Sequence, residues 1–192
     1  MRKLGIGIMF VAAFALATGS AFAQAKAPAK APKPAESASA EVLGMWNSVG
    51  NKLVAMAEDF PEDKYDFKVQ KDQRGFAETL LHVAAVDYIM MTAIAGKQMG
   101  PGGTENPSRS DYKTKADVVK FIKQAVADGA AMIKAEGDAG LNKTSKFPFG
   151  NMIVHNSYQW MEAIEHSGEH YGQLVVYYRA NNMVPPDSRP RP

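Results

Sequence analysis

The sequence predicts an all-α fold, an antiparallel four-helix bundle, on three observations. Four segments carry apolar residues at alternating steps of three and four, polar stretches with glycine and proline separate them, and no segment reads as a convincing strand. Hydrophobic residues make up 46% and charged residues 22% of the 192, a composition able to bury a real core. No internal repeat of fixed period is present.

The first helix spans about residues 40–58. Val42, Trp46, Val49, Leu53, Met56 and Phe60 form its single apolar stripe, and Pro61 stands just past its end. The stretch that follows, to Gly75, is polar and turn-like, with Tyr65 and Phe67 expected as lids on the core. Gly75 with Glu78 three residues later is a weak capping-box start for a second helix, about 76–95. Its apolar residues lie on nearly all sides, which predicts burial on more than one face, and His82 lies inside it. Gly96 begins the exit, and Gly100-Pro101-Gly102-Gly103 marks a loop reaching Asp111. That loop is long for a tight helical hairpin; it either covers a bundle end or lets the third helix cross over.

Thr114 and Asp117 cap the third helix, whose stripe is Val118, Ile122, Val126, Ala130 and Ile133. Gly137 is its expected C′ residue, and 138–150 is a connector. The fourth helix is expected over about 151–180. Asn181-Asn182 ends it and Pro185-Pro186 forbids continuation. Gly168 and Gly172, one turn apart on this helix, are expected to allow close approach of another helix, including one from a second subunit, in preference to the other reading, space for a ligand near a metal at His170.

Domain limits follow from composition. Residues 1–23 have the layout of a secretory signal peptide: Arg2-Lys3, an apolar stretch over 4–17, then Ala21-Phe22-Ala23 before the cleavage point. Fourteen residues fall short of the roughly 20 that a spanning helix needs. No stable membrane anchor is expected after cleavage, and the expected location is periplasmic or secreted. Residues 24–40 read as a disordered Ala/Pro/Lys-rich linker, 41–186 as the bundle and 187–192 as a flexible tail.

Charge and cysteine content exclude several functions. Without Arg2 and Lys3 the 22 basic residues become 20, against 20 acidic, so the mature chain is neutral. It offers no basic run for nucleic acid and no polybasic stripe for a membrane surface. With no cysteine there is no disulfide, thiol nucleophile or cysteine-bound metal.

The histidines are His82, His155, His166 and His170. His166 and His170 are four apart, which sets their side chains on one helix face about 5–6 Å apart at Cβ. Two imidazoles so placed can grip one divalent ion, with zinc and nickel foremost. A third ligand must come from another helix, and His82 is the one histidine buried by pattern in mid-helix. Three protein ligands leave positions for water, the arrangement of a catalytic site. Against this, two histidines four apart also occur on solvated faces, and His82 alone suits a satisfied core position. The zincin protease pattern fails, because Ser167 stands where its glutamate belongs. His155 precedes His166 by eleven residues, about 16 Å along a helix, and is expected at a bundle end or the surface. Glu162, one turn before His166, is the candidate hydrogen-bond acceptor for an imidazole or general base; no other catalytic residue is read.

The segments PEDKYDFKVQKDQRGFAETLLHVA and EHSGEHYGQLVVYYRANNMVPP, with their three histidines, resemble the DinB/YfiT-like superfamily over about residues 42–186. The resemblance implies a four-helix bundle with a three-histidine site for a divalent ion in His82, His166 and His170, and a homodimer. Some members transfer low-molecular-weight thiols. The departure is the leader, because an exported chain meets little reduced thiol. The functional expectation is an exported metal-dependent hydrolase or transferase acting on an unidentified small molecule. The alternatives are a non-catalytic metal-binding or stress-related bundle with a structural or vestigial site, and a periplasmic metal carrier.

Overall fold

The computed structural model describes residues 36–97 and 103–190, together with Pro34. The expected signal peptide, most of the expected linker and the last two residues lie outside the described residues. The described part is a bundle of four helices: α1 (Ala38–Asp59), α2 (Phe76–Ile94), α3 (Lys115–Leu141) and α4 (Asn156–Ala180). The linker therefore ends earlier than its composition suggested. Ser37 accepts a hydrogen bond from the Ala40 N–H and caps α1, so residues 38–40 are already helical.

Around the bundle the order is α1, α3, α2, α4. Helices α1 and α2 both pack on α3 and α4, while the pairs α1–α2 and α3–α4 touch little and lie across the diagonal. Contacts at the helix ends fix the directions. Ser39 N–H donates to Asp138 Oδ1 at one end of the α1–α3 pair, and Lys115 Nζ donates to the Phe60 carbonyl at the other, so this pair is antiparallel. The pair α2–α4 is antiparallel too: the Tyr177 hydroxyl donates to the Arg74 carbonyl and Ser167 Oγ to Asp87. Helices α2 and α3 run parallel. The start of each shares one apolar cluster (Phe76, Val118, Ile122) and the later turns share another (Met90, Ile133). The connection 95–114 thus joins neighbours that point the same way, the crossover that its length allowed.

The buried polar residues His82, Asp87, Ser167 and His170 lie between two apolar clusters. One cluster holds Phe60, Tyr65, Phe76 and Tyr178, with Phe60 and Phe76 stacked at 3.9 Å between ring centroids. The other holds Trp46 and Trp160, edge-on at 5.4 Å, with Met90 and Ile133. Tyr65, expected as a lid, is fully buried and donates its hydroxyl to the Ala57 carbonyl; Phe67 stays half-buried. Helix α2 is long and apolar enough to cross a membrane by length and composition alone. Here 15 of its 19 residues are buried by the surrounding bundle, as its all-round apolar character predicted.

Four local expectations change. At Gly137 the backbone takes φ +57° and ψ −166°, an extended positive-φ conformation essentially reserved for glycine rather than the left-handed turn of a C′ residue, and the chain resumes helix as far as Leu141, so α3 kinks where it was expected to stop. The fourth helix starts at Asn156 rather than 151. The preceding residues form β2 (Ile153–His155), paired antiparallel with β1 (Thr144–Lys146), Thr144 opposite His155 and Lys146 opposite Ile153. The tail expected to be flexible is tied down in part, because the Arg189 guanidinium forks onto both Asp59 carboxylate oxygens at 2.8 and 2.6 Å. Finally, the close-approach glycines are Gly50 and Gly129, at the α1–α3 crossing. A Cβ at Gly50 would strike Val126 at 2.7 Å and one at Gly129 would strike the Trp46 ring. A Cβ on Gly168 or Gly172 would meet nothing within 4 Å, so neither glycine is needed for packing inside the chain.

Candidate metal centre

His82 on α2 faces His166 and His170 on α4, where antiparallel packing brings the middles of the two helices together. His82 is 6% and His170 4% exposed, and His166 is half-buried. His166 Nε2 lies 3.1 Å from His82 Nε2 and 3.1 Å from His170 Nε2. One ring nitrogen from each residue lies within 4.8 Å of the other two. The rings do not stack: interplanar angles of 59°, 84° and 75° turn their nitrogen-bearing edges inward.

The other ring nitrogens fix the protons. His82 Nδ1–H donates to the main-chain carbonyl of Glu105 at 2.6 Å, and His170 Nδ1–H donates to Gln173 Oε1 at 2.8 Å. A neutral imidazole carries one N–H, so Nε2 of both rings presents a lone pair to His166. His166 has at most one N–H at Nε2 and can satisfy one of them. If it does, its own Nδ1 becomes a bare acceptor, and that atom is buried with no partner among the described residues. No placement of neutral protons satisfies the group. Protonation is disfavoured as well. Burial, with the positive charges of His170, His82 and Arg74 around it, lowers the His166 pKa to about 3. Burial also lowers that of His82, with the Glu105 carbonyl opposing.

The donor set fits a divalent transition ion. Nitrogen ligands at the usual 2.0–2.1 Å from one ion stand roughly 2.9–3.4 Å apart in octahedral or tetrahedral arrangements, which spans the two 3.1 Å separations. The orienting bonds from the outer imidazole nitrogens are those that metal-ligating histidines ordinarily have.

Glu162 does not supply them. It faces the Tyr158 hydroxyl one turn back, whose pKa it raises, and makes no hydrogen bond to the three imidazoles. Glu165 and Glu169 are exposed. Gln173 carried a sequence signal, three residues after His170 on the same helix; the Glu105 carbonyl, a backbone group in a loop, carried none. His155 caps α4 at the surface and bonds the Asn142 carbonyl through Nδ1 at 3.1 Å, away from the three. Beneath the histidines lies Asp87, fully buried, where Ser167 Oγ donates to it at 3.4 Å. Burial raises its pKa well above the usual carboxylate range and favours the neutral acid.

A cleft of about 580 Å³ reaches Gln173, the hydrogen-bond partner of His170, without being lined by any of the three histidines. Its wall includes Gln173, Thr79 one turn before His82, Arg74, Asp72 and Tyr177.

The sequence matches the DinB superfamily over residues 45–174. A search among curated proteins found no match. Among solved structures, a DinB-like protein from Bacillus cereus superposes with a TM-score of 0.64 at 16% identity, covering 76% of this chain and 93% of that one. YjoA, a DinB-like protein of Bacillus subtilis, gives 0.58 at 19% identity, covering 75% and 93%. YfiT of Bacillus subtilis, described as a probable metal-dependent hydrolase with an unusual four-helix bundle topology, gives 0.60 at 11% identity, covering 80% and 94%. At these identities the structures speak for the fold, and the sequence match, over more than half the chain, speaks for the family. This chain belongs to the DinB superfamily.

Proposed function

We propose that this protein binds one divalent ion through the Nε2 atoms of His82, His166 and His170 and works as a metal-dependent hydrolase or transferase on a small molecule. The carrying observation is the pair of 3.1 Å Nε2 separations, which no placement of neutral protons satisfies. When bound, the ion supplies Lewis acidity, lowering the pKa of a water or substrate group and polarising a carbonyl or phosphoryl oxygen. The chain's own residues do the rest. Gln173 and the Glu105 carbonyl hold His170 and His82 in the tautomer that leaves Nε2 free, and the buried clusters on either side keep the imidazoles neutral.

A ligand in the neighbouring cleft would touch Gln173, the hydrogen-bond partner of His170, and this nearness supports catalysis, although none of the three histidines lines the cleft. The description of YfiT as a probable metal-dependent hydrolase supports the same reading. The test is metal analysis of the exported protein, then an activity screen of ester, amide and phosphoester substrates with and without that metal. Turnover that chelation abolishes and the metal restores supports the reading; metal-loaded protein inert across the screen supports a structural role.

Export and assembly belong to the same proposal. The signal layout of residues 1–23 supports cleavage after Ala23, which intact-mass measurement of exported protein reads as a chain beginning at Gln24. The outward-facing Gly168 and exposed Met45, which share one groove between α1 and α4, support a homodimer, which light scattering checks.

A further inference from the structure

Arg74 stands at the end of a loop directly before α2, and its carbonyl and guanidinium are both held. Tyr177 on α4 donates to its carbonyl, and its Nε–H donates to Asn106 Oδ1 at 3.0 Å. Asn106 follows Glu105, whose carbonyl holds His82. The guanidinium is thus fixed to the same loop that orients a histidine of the site. Its side chain is exposed on the wall of the cleft that Gln173, the partner of His170, also lines.

The charge of Arg74 acts on the Glu78 carboxylate, which the Gly75 N–H chiefly holds ionised, but among the described residues nothing is hydrogen-bonded to its terminal N–H groups. Among the described residues Arg74 makes no ion pair; the carboxylate of Asp72 shares the cleft wall but does not pair with it. Through Asn106 and the neighbouring Glu105 carbonyl, its guanidinium is tied to the loop residue that holds the His82 ring, and its charge would oppose a divalent ion bound there. A cation beside a dication is unfavourable until an anion lies between them. A planar guanidinium fixed through Nε still has its terminal N–H groups to offer, in the fork that matches two oxygens of one acid group.

We propose that Arg74 anchors the substrate: it binds an anionic oxyacid group, carboxylate or phosphate, of a small molecule whose reacting centre sits at the three histidines. This deepens the metal-dependent reading and rests on it. It makes the substrate class anionic, and it assigns Asn106 and Tyr177 the task of aiming Arg74 into the cleft.

The test is a titration of zinc-loaded wild type and Arg74→Gln with inorganic phosphate and, separately, acetate, read by calorimetry and by the Arg74 Nε–H resonance. Either probe can also ligate the ion directly, so the readout is the difference between the two proteins. At least one probe is expected to move the Nε–H resonance and to bind about tenfold or more weakly to the variant, the loss expected for one charge-assisted pair. The probe preferred tells phosphate from carboxylate. Both proteins are expected to hold one zinc per chain, which also reports an intact fold. Equal affinities, or a resonance that neither probe moves, overturn the Arg74 assignment and leave the metal reading standing. Wild type that holds no zinc overturns the metal reading by itself, and the same titration of the zinc-free proteins then decides Arg74 by the same two criteria.

Discussion

The Nδ1–H of His82 donates to the main-chain carbonyl of Glu105 at 2.6 Å, so a helix in the bundle core holds a loop from the surface. The bond makes the described part of that loop, from Gly103 onward, sensitive to whatever fixes the His82 ring. Zinc binding is therefore expected to slow amide hydrogen exchange in residues 103–110 more than in α3. Exchange followed by mass spectrometry checks this; equal exchange in that loop with and without metal contradicts it.

Gln173 gives a sharper variant, because its side chain is exposed and its hydrogen bond to His170 Nδ1 is the one contact at stake. Gln173→Ala is expected to weaken metal binding by about 10–100-fold, the usual loss when a ligand histidine gives up its orienting partner. Thermal stability of the metal-free protein is expected to stay near that of wild type. A competition assay with a chelator of known affinity measures the first and a melting curve the second.

The glycines separate packing from open space. Gly129→Ala drives a methyl group into the Trp46 ring and is expected to destabilise the fold by about 1–3 kcal/mol. Gly172→Ala meets nothing within 4 Å and is expected to stabilise α4, by up to about 1 kcal/mol. Urea denaturation of the two variants reads both signs; a destabilised Gly172→Ala contradicts the open space around that position.

Acid acts on the metal-free protein through the histidines. Burial depresses His166 to about 3 and lowers His82. A depressed pKa means that the unfolded chain takes up the proton first, so its stability contribution is complete above about pH 6.5, the ordinary histidine value. It declines as pH falls through the window between there and about 3. Denaturation midpoints of the metal-free protein are expected to fall steadily over this range. In His166→Asn the slope is expected to be shallower; an unchanged slope contradicts the assignment.

What could be seen in advance follows from where the signal lay. The helix stripes ending at Phe60 and Ile133 were legible because burial on one face repeats every three to four residues. His166 and His170 were legible because their spacing alone sets both on one face, and His82 because its surroundings are apolar on every side. Strands of three residues, such as Ile153–His155, are too short to show a period, so the start of α4 was placed too early. Gly168 and Gly172 read as a packing pair because they stand one turn apart on one helix; Gly50 and Gly129 lie on different helices, and nothing local links them. The Glu105 carbonyl was invisible in principle, since every residue has one. The helix order around the bundle was equally hidden, because it depends on how loops cross rather than on any stripe.

The central claim is that three imidazoles share one ion, and metal content of variants tests it most directly. Wild type, His82→Ala, His166→Ala, His170→Ala and His155→Ala are loaded with zinc or nickel, desalted and assayed by plasma mass spectrometry. Wild type and His155→Ala are expected to keep one ion per chain, and each of the other three to lose most of it. Wild type that keeps no ion, or a His155→Ala variant that loses metal while His82→Ala retains it, would contradict the account.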